Sequence, residues 1–229
     1  MAERRPSIRI WDLPVRLFHW ALAALVIAAW ITGELGRLDL HMILGELILT
    51  LVIFRLAWGL VGSPTARFAT FIAGPRAALG HLRELLGWVR RRPPADAWRA
   101  HFGHTALGGW MVAAMLVALA TQTGTGLFSS DEIMTDGPLN HLVSGDTAHR
   151  LGWVHWIGSW LIPALVLLHV AAAFFYLWRG RENLIGPMIT GRKPVPAGSG
   201  GADQRFASPW LALALLIAAL AIVRAILSL

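Results

Sequence analysis

Five long apolar runs stand out along the chain, at roughly Val15–Ile31, His41–Leu60, Thr105–Phe128, Trp153–Trp178 and Trp210–Leu227. A helix rises about 1.5 Å per residue, so about 20 residues cross a hydrocarbon core of about 30 Å. Each run therefore predicts a membrane-crossing helix. A different pattern begins at Pro75, in PRAALGHLRELLGWVRR. Here Leu79, Leu82, Leu86 and Val89 share one helical face, while Arg83, Glu84 and Arg90 lie off it. That is a short amphipathic helix lying on a membrane surface. From Pro194 the stretch PVPAGSGGADQ has the small, polar composition of a flexible linker. The expected organisation is a four-helix domain over residues 1–193, a linker over 194–205 and an added helix over 206–229. The first run follows a basic N-terminus, as a signal peptide would. No small-x-small cleavage site follows it, Trp30 stands where one would fall, and Arg4–Arg5 lacks the rest of a twin-arginine signal, so a retained helix is expected. There is no internal repeat.

Composition agrees. Of 229 residues, 56% are apolar and 14% charged, and the mean hydropathy is +0.58. A chain of this kind buries its apolar surface in lipid, which predicts an all-α integral membrane helical bundle with four core spans plus a fifth. The net charge of +7 raises nucleic acid as a partner, and the placement of the charge decides against it. Sixteen of the 20 Lys and Arg fall in segments 1–16, 62–103 and 179–205. The alternate loops, 32–40 and 129–150, hold only Arg37 and Arg150 among Glu34, Asp39, Asp131, Glu132, Asp136 and Asp146. This is the positive-inside asymmetry, and it predicts a cytoplasmic N-terminus. The basic excess then reports topology and contact with anionic lipid.

Cysteine is absent, which removes disulfides, thiolate metal sites, iron–sulfur ligation and covalent C-x-x-C-H haem attachment at once. Histidine becomes the residue to follow, because an imidazole at membrane depth is costly and implies function. His155 and His169 lie in the fourth run, 14 residues apart. That is about 21 Å along a helix and within about 40° of the same face. His149, 20 residues before His169, would point about 200° away, and with His141 it is expected in the outer loop. On the predicted topology His155 lies near the periplasmic side and His169 near the cytoplasmic side. Depth pairs His19, one turn into the first run from the cytoplasm, with His169. It pairs His41, at the periplasmic start of the second run, with His155. Two stacked bis-histidine sites are what an electron wire through haem iron requires, with no open position for substrate oxygen. Gly45 and Gly158, close after His41 and His155, lie on the ligand side, where a flat macrocycle approaches the backbone.

The remaining candidates stay open between functional and ordinary roles. His101 and His104 begin the third run, as ligands, interfacial hydrogen-bonding groups or propionate contacts. His81 is expected to be solvated on the amphipathic helix. Arg16 and Arg67 are candidate propionate partners, since guanidinium binds carboxylates bidentately, and equally fit as positive-inside charges. Arg55 and Arg224 are expected to snorkel from helix ends. The 12 tryptophans suit interfacial belts, among them Trp11, Trp20, Trp58, Trp153 and Trp178.

The order RLFHW, DLHMILGEL, RAHFGHTALGGW, TGLFSSDEI–DGPLNHLVS and VHWIGSWLIPALVLLHVAAAFFY resembles the bacterial cytochrome b561 family, which includes the b-type subunits of nickel–iron hydrogenases. WGLVGSPTARF and ENLIGPMITGRK are similar to its cytoplasmic signatures, so the resemblance covers roughly residues 8–193. It implies four haem ligands at His19, His41, His155 and His169, in agreement with depth and face, and two non-covalent b-type haems. The fifth helix lies outside the usual four-span pattern.

The function this implies is transmembrane electron transfer between a quinone and a protein partner, a c-type cytochrome or a dehydrogenase subunit, in a respiratory chain. No catalytic side chain is expected, and homodimerisation is open. A first alternative is a stand-alone haem oxidoreductase acting on superoxide or quinol. A second is a histidine-based divalent-metal transporter, which wants carboxylates at mid-membrane, where only Glu46 lies within a run.

Overall fold

The computed structural model describes residues 7–90, 103–130, 135–180, 182–194 and 205–229. Among them are eight α-helices: α1 (Leu13–Glu34), α2 (Leu38–Val61), α3 (Phe68–Phe71), α4 (Pro75–Arg90), α5 (Ala106–Gly126), α6 (Gly145–Trp178), α7 (Ile185–Thr190) and α8 (Pro209–Leu227). Strands β1 (Ser7–Arg9) and β2 (Arg192–Pro194) pair antiparallel, Ile8 opposite Lys193. Five helices are long and apolar enough to cross a membrane, and they coincide with the five runs. The chain is a multi-pass all-α membrane protein. The expected linker falls almost wholly on residues 195–204, outside the described residues, as does His101.

The described residues form two compact units. One comprises residues 17–57, 114–166 and 210–229. Its core is Ala29, Ile48, Val52, Leu119 and Ile162, from α1, α2, α5 and α6, with Leu22, Leu25, Leu44 and Val166 against them. α8 buries Ala212, Ala219 and Val223, a stripe at helical spacing, and exposes Leu213, Ile217 and Leu220. Small residues on the buried stripe let the backbone approach closely, which is how helices associate where lipid removes the hydrophobic drive. Arg224 does not simply snorkel, because its guanidinium lies 3.7 Å from the Glu46 carboxylate of α2.

The other unit comprises residues 1–16, 58–113 and 167–209. Asp12 organises its centre. One carboxylate oxygen caps α1 by accepting from the Val15 amide at 2.8 Å, and the other accepts from Trp58 Nε1 at 3.1 Å. Trp58 is fully buried and Trp11 nearly so, which corrects their expected place in an interfacial belt. A buried indole needs a partner for its N–H, and Asp12 supplies it. Trp20, Trp153 and Trp178 are exposed, as a belt requires. Lys193 and Glu182 form a buried ion pair, and the Thr65 hydroxyl donates to the Ile10 carbonyl at 2.7 Å. Just outside α8, the Ala207 amide donates to Ser63 Oγ at 3.0 Å.

Two further expectations change. Arg55 is only 3% exposed and does not snorkel, since α2 continues six residues beyond it, to Val61. α6 starts at Gly145, so His149 is helical and exposed rather than in a loop. Ser144 starts the helix early, accepting from the Thr147 amide at 3.4 Å, and Asp146 in the first turn suits its positive end. The helix continues unbroken through Pro163 to Trp178. On α4 the stripe Leu79, Leu82, Leu86 and Val89 is exposed, as expected of a face turned to lipid.

Candidate functional site

All four histidines proposed as ligands are half-buried on membrane-spanning helices, His19 on α1, His41 on α2, and His155 and His169 on α6. The imidazoles of His41 and His155 are brought together, with ring centres 6.0 Å apart and planes at 84°. A metal held between two imidazole nitrogens at bonds of about 2 Å, each nitrogen about 1 Å from its ring centre, separates the rings by about 6 Å.

The other nitrogen of each ring is fixed. His41 Nδ1 lies 2.8 Å from the Ala29 carbonyl of α1, and His155 Nδ1 lies 2.9 Å from the Gln122 carbonyl of α5. A carbonyl only accepts, so both rings carry their proton on Nδ1 and present a bare Nε2. This is the outer-shell arrangement of metal-ligating histidine, which sets tautomer and orientation and raises ligand basicity. Both carbonyls use one local device. Four residues after Ala29 stands Gly33, and four after Gln122 stands Gly126. A helical carbonyl points towards residue i+4, so a ring bonded to it lies over that residue's Cβ position. A Cβ on Gly126 would come within 2.8 Å of His155 Cε1, and one on Gly33 within 3.1 Å of His41 Nδ1. The arrangement fits an iron porphyrin ligated by this pair.

The expected glycines behave differently. A Cβ on Gly45 would meet nothing within 4 Å. One on Gly158 would overlap the Gln122 side chain, so Gly158 makes room for that amide rather than for a macrocycle. The amide oxygen of Gln122 is buried without a hydrogen-bond partner among the described residues. His19 and His169 belong to different units, and their pairing rests on the sequence argument alone. Of the arginines, Arg67 donates Nε to the Gly62 carbonyl at 2.8 Å and so caps the end of α2. Arg16 keeps a buried Nε with no hydrogen-bond partner among the described residues, an unmatched donor that suits a carboxylate. His104 packs between Trp11, at 4.7 Å, and Phe71, at 4.3 Å. His81 is not simply solvated, since it hydrogen bonds the Tyr176 hydroxyl.

Comparison with known proteins gives the family. The family model described as prokaryotic cytochrome b561 matches residues 10–191. The chain belongs to the prokaryotic cytochrome b561 family. Its members are membrane cytochromes carrying b-type haem, and membrane electron transfer through haem b is the activity of this chain. Among relatives, a probable Ni/Fe-hydrogenase B-type cytochrome subunit of Bradyrhizobium diazoefficiens is 25% identical, over 84% of this chain and 88% of that protein. A probable Ni/Fe-hydrogenase 1 B-type cytochrome subunit of Escherichia coli K12 is 22% identical, over 80% and 88%. No solved structure gives a significant match. In a b561 cytochrome the haem supplies the one-electron chemistry, while the protein supplies ligands, orientation and a low-dielectric surround. Gly33 and Gln122 lie outside the family-like motifs, and Gly126 lies within TGLFSSDEI with nothing in the sequence to mark its contact with His155.

Proposed function

We propose that this cytochrome carries electrons across a bacterial inner membrane through two bis-histidine b-haems, between a hydrogenase-type partner and a quinone. His41 and His155 hold the periplasmic-side haem, His19 and His169 the cytoplasmic-side haem, and Arg16 meets a propionate. The observation that carries the reading is the His41–His155 pair, with both Nδ1–H groups tied to helix carbonyls and both Nε2 atoms left as donors. The hydrogenase partner is supported by the names of the relatives. The quinone is supported by the membrane setting and by two-ligand coordination, which confines the iron to electron exchange.

Purified protein is expected to contain close to two haems per chain by pyridine haemochrome analysis, all extractable in acid acetone. One haem or none per chain, or haem that resists extraction, would overturn the reading.

Five spans with a cytoplasmic N-terminus put Leu229 in the periplasm. The Arg224–Glu46 contact supports this, because it sets the end of α8 beside the early turns of α2. The Ala207–Ser63 bond supports it too, placing the residues before α8 next to those after α2. A reporter active only in the periplasm, fused after Leu229, is expected to be fully active. An inactive periplasmic reporter paired with an active cytoplasmic one would leave four spans.

A further inference from the structure

The chain has a single tyrosine, and it is not on a lipid-facing surface. Tyr176 is 5% exposed, in the last turn of α6. It follows His169 by seven residues, which is about 10 Å along the helix and within about 20° of the same face. Its hydroxyl hydrogen bonds His81 Nε2, and the two rings stack at 6.2 Å with planes 11° apart. On the far side of the imidazole, His81 Nδ1 lies 3.5 Å from Glu84 Oε2, with the two side chains 10% and 51% exposed. Three proton-carrying groups thus run in series from a buried phenol to a water-exposed carboxylate.

Docking of α4 does not explain the series. Arg179 already ties α4 to the residues after α6, donating to the Trp88 and Val89 carbonyls at 2.9 and 3.3 Å. The neighbouring Glu182 is matched by Lys193 and is not part of the chain. A clamp would need only Tyr176 and His81, and would gain nothing from a titratable group on the second imidazole nitrogen. Histidine accepts a proton at one nitrogen and releases one at the other, so a partner on each side is what a shuttle requires.

We propose that Glu84, His81 and Tyr176 form a proton relay between the aqueous surface at α4 and the membrane end of α6, serving a quinone-class carrier that exchanges electrons beside His169. The inference rests on the quinone-linked reading above, which makes this end of α6 cytoplasmic. Reduction of such a carrier takes up two electrons and two protons and forms two O–H bonds. In each of two passes, Tyr176 Oη gives its proton to a carrier oxygen. His81 returns its Nε2 proton to Oη and takes another at Nδ1 from the Glu84 carboxyl, which is refilled from water. The imidazole then resets its tautomer. The three residues change no oxidation state, and oxidation of the reduced carrier runs the same steps backwards.

The test uses the intact di-haem protein in detergent, with a short-chain quinol as reductant and haem reduction followed by stopped flow. Tyr176→Phe and His81→Gln are expected to slow this reduction by about tenfold to a hundredfold. Glu84→Gln should slow it less, because water reaches that position. Haem content, spectra, midpoint potentials and the rate of reduction by dithionite should stay unchanged. His81→Gln is the decisive variant, since a glutamine side chain still hydrogen bonds Tyr176 but cannot pass a proton. Added imidazole should speed His81→Ala, and a series of added bases should do so in order of their pKa. Wild-type rates in His81→Gln and Tyr176→Phe, equal slowing with dithionite, or no rescue would each overturn the relay while leaving the cytochrome reading intact. A wild-type protein that quinol does not reduce would overturn the relay and the quinone link together. Haem stoichiometry tests the cytochrome itself separately.

Discussion

Replacing His155 with alanine is expected to remove one of the two proposed haems and leave the other spectroscopically native. On the proposed ligation the iron would lose one of its two protein ligands. On that ligation His41 stays oriented by the Ala29 carbonyl, and one axial bond holds the macrocycle more weakly than two. His41→Ala should give the same residual spectrum, because its ring faces His155 at 6.0 Å. His19→Ala and His169→Ala should resemble each other and show the complementary loss. His149→Ala should keep both haems, since that side chain is exposed on α6. Reduced-minus-oxidised spectra with haem quantitation decide the matter. If His19→Ala gave the spectrum of His155→Ala, the depth pairing would be wrong even with the four ligands right. If His149→Ala lost a haem while His155→Ala kept both, the ligand on α6 would have to be reassigned.

Gly126→Val is expected to weaken the same centre without touching a ligand. A Cβ at position 126 would stand 2.8 Å from His155 Cε1 and 3.0 Å from Nδ1, well inside van der Waals contact. The ring must leave the Gln122 carbonyl, and its Nε2 then turns away from the iron. Loss of an outer-shell partner typically costs about 10- to 100-fold in metal affinity, and displacement of the ring adds to that. Gly33→Val should act in the same direction on His41, more mildly, since its Cβ would stand 3.1 Å from Nδ1. Gly124→Ala on the same helix as Gly126 is the control, because a Cβ there meets nothing within 4 Å. Haem retention through purification and resistance to competing imidazole measure the effect. Full retention of both haems in Gly126→Val would remove the proposed role of the glycine.

The helix ends show where sequence reasoning stopped. Hydropathy rises at Trp153, where the fourth apolar run begins, yet α6 begins eight residues earlier at Gly145. A polar capping segment can be helical without being apolar, so hydropathy marks the membrane and not the helix. Trp58 was assigned to an interface on residue type alone. Its burial follows from Asp12, 46 positions away, and no local pattern announces such a pair. The same holds for His81, whose partner lies 95 positions away on α6. Gly158 stands near His155 in sequence, and the side chain that fills its space comes from a different helix.

The membrane spans, the class of cofactor and the residues able to ligate it are legible in the order of amino acids. Each of these is written in one dimension. Lipid depth needs a run of apolar residues, helical phase needs only spacing along one chain, and histidines matched in depth and face mark a site for iron. The tertiary structure alone decided which backbone carbonyl orients each imidazole of the His41–His155 pair, and which glycine makes room for it. It also decided that the lone tyrosine meets a histidine backed by a carboxylate. Those contacts depend on how each helix is rotated against its neighbours. Rotation is set by the packing of whole faces, a property of several segments together that no single segment encodes.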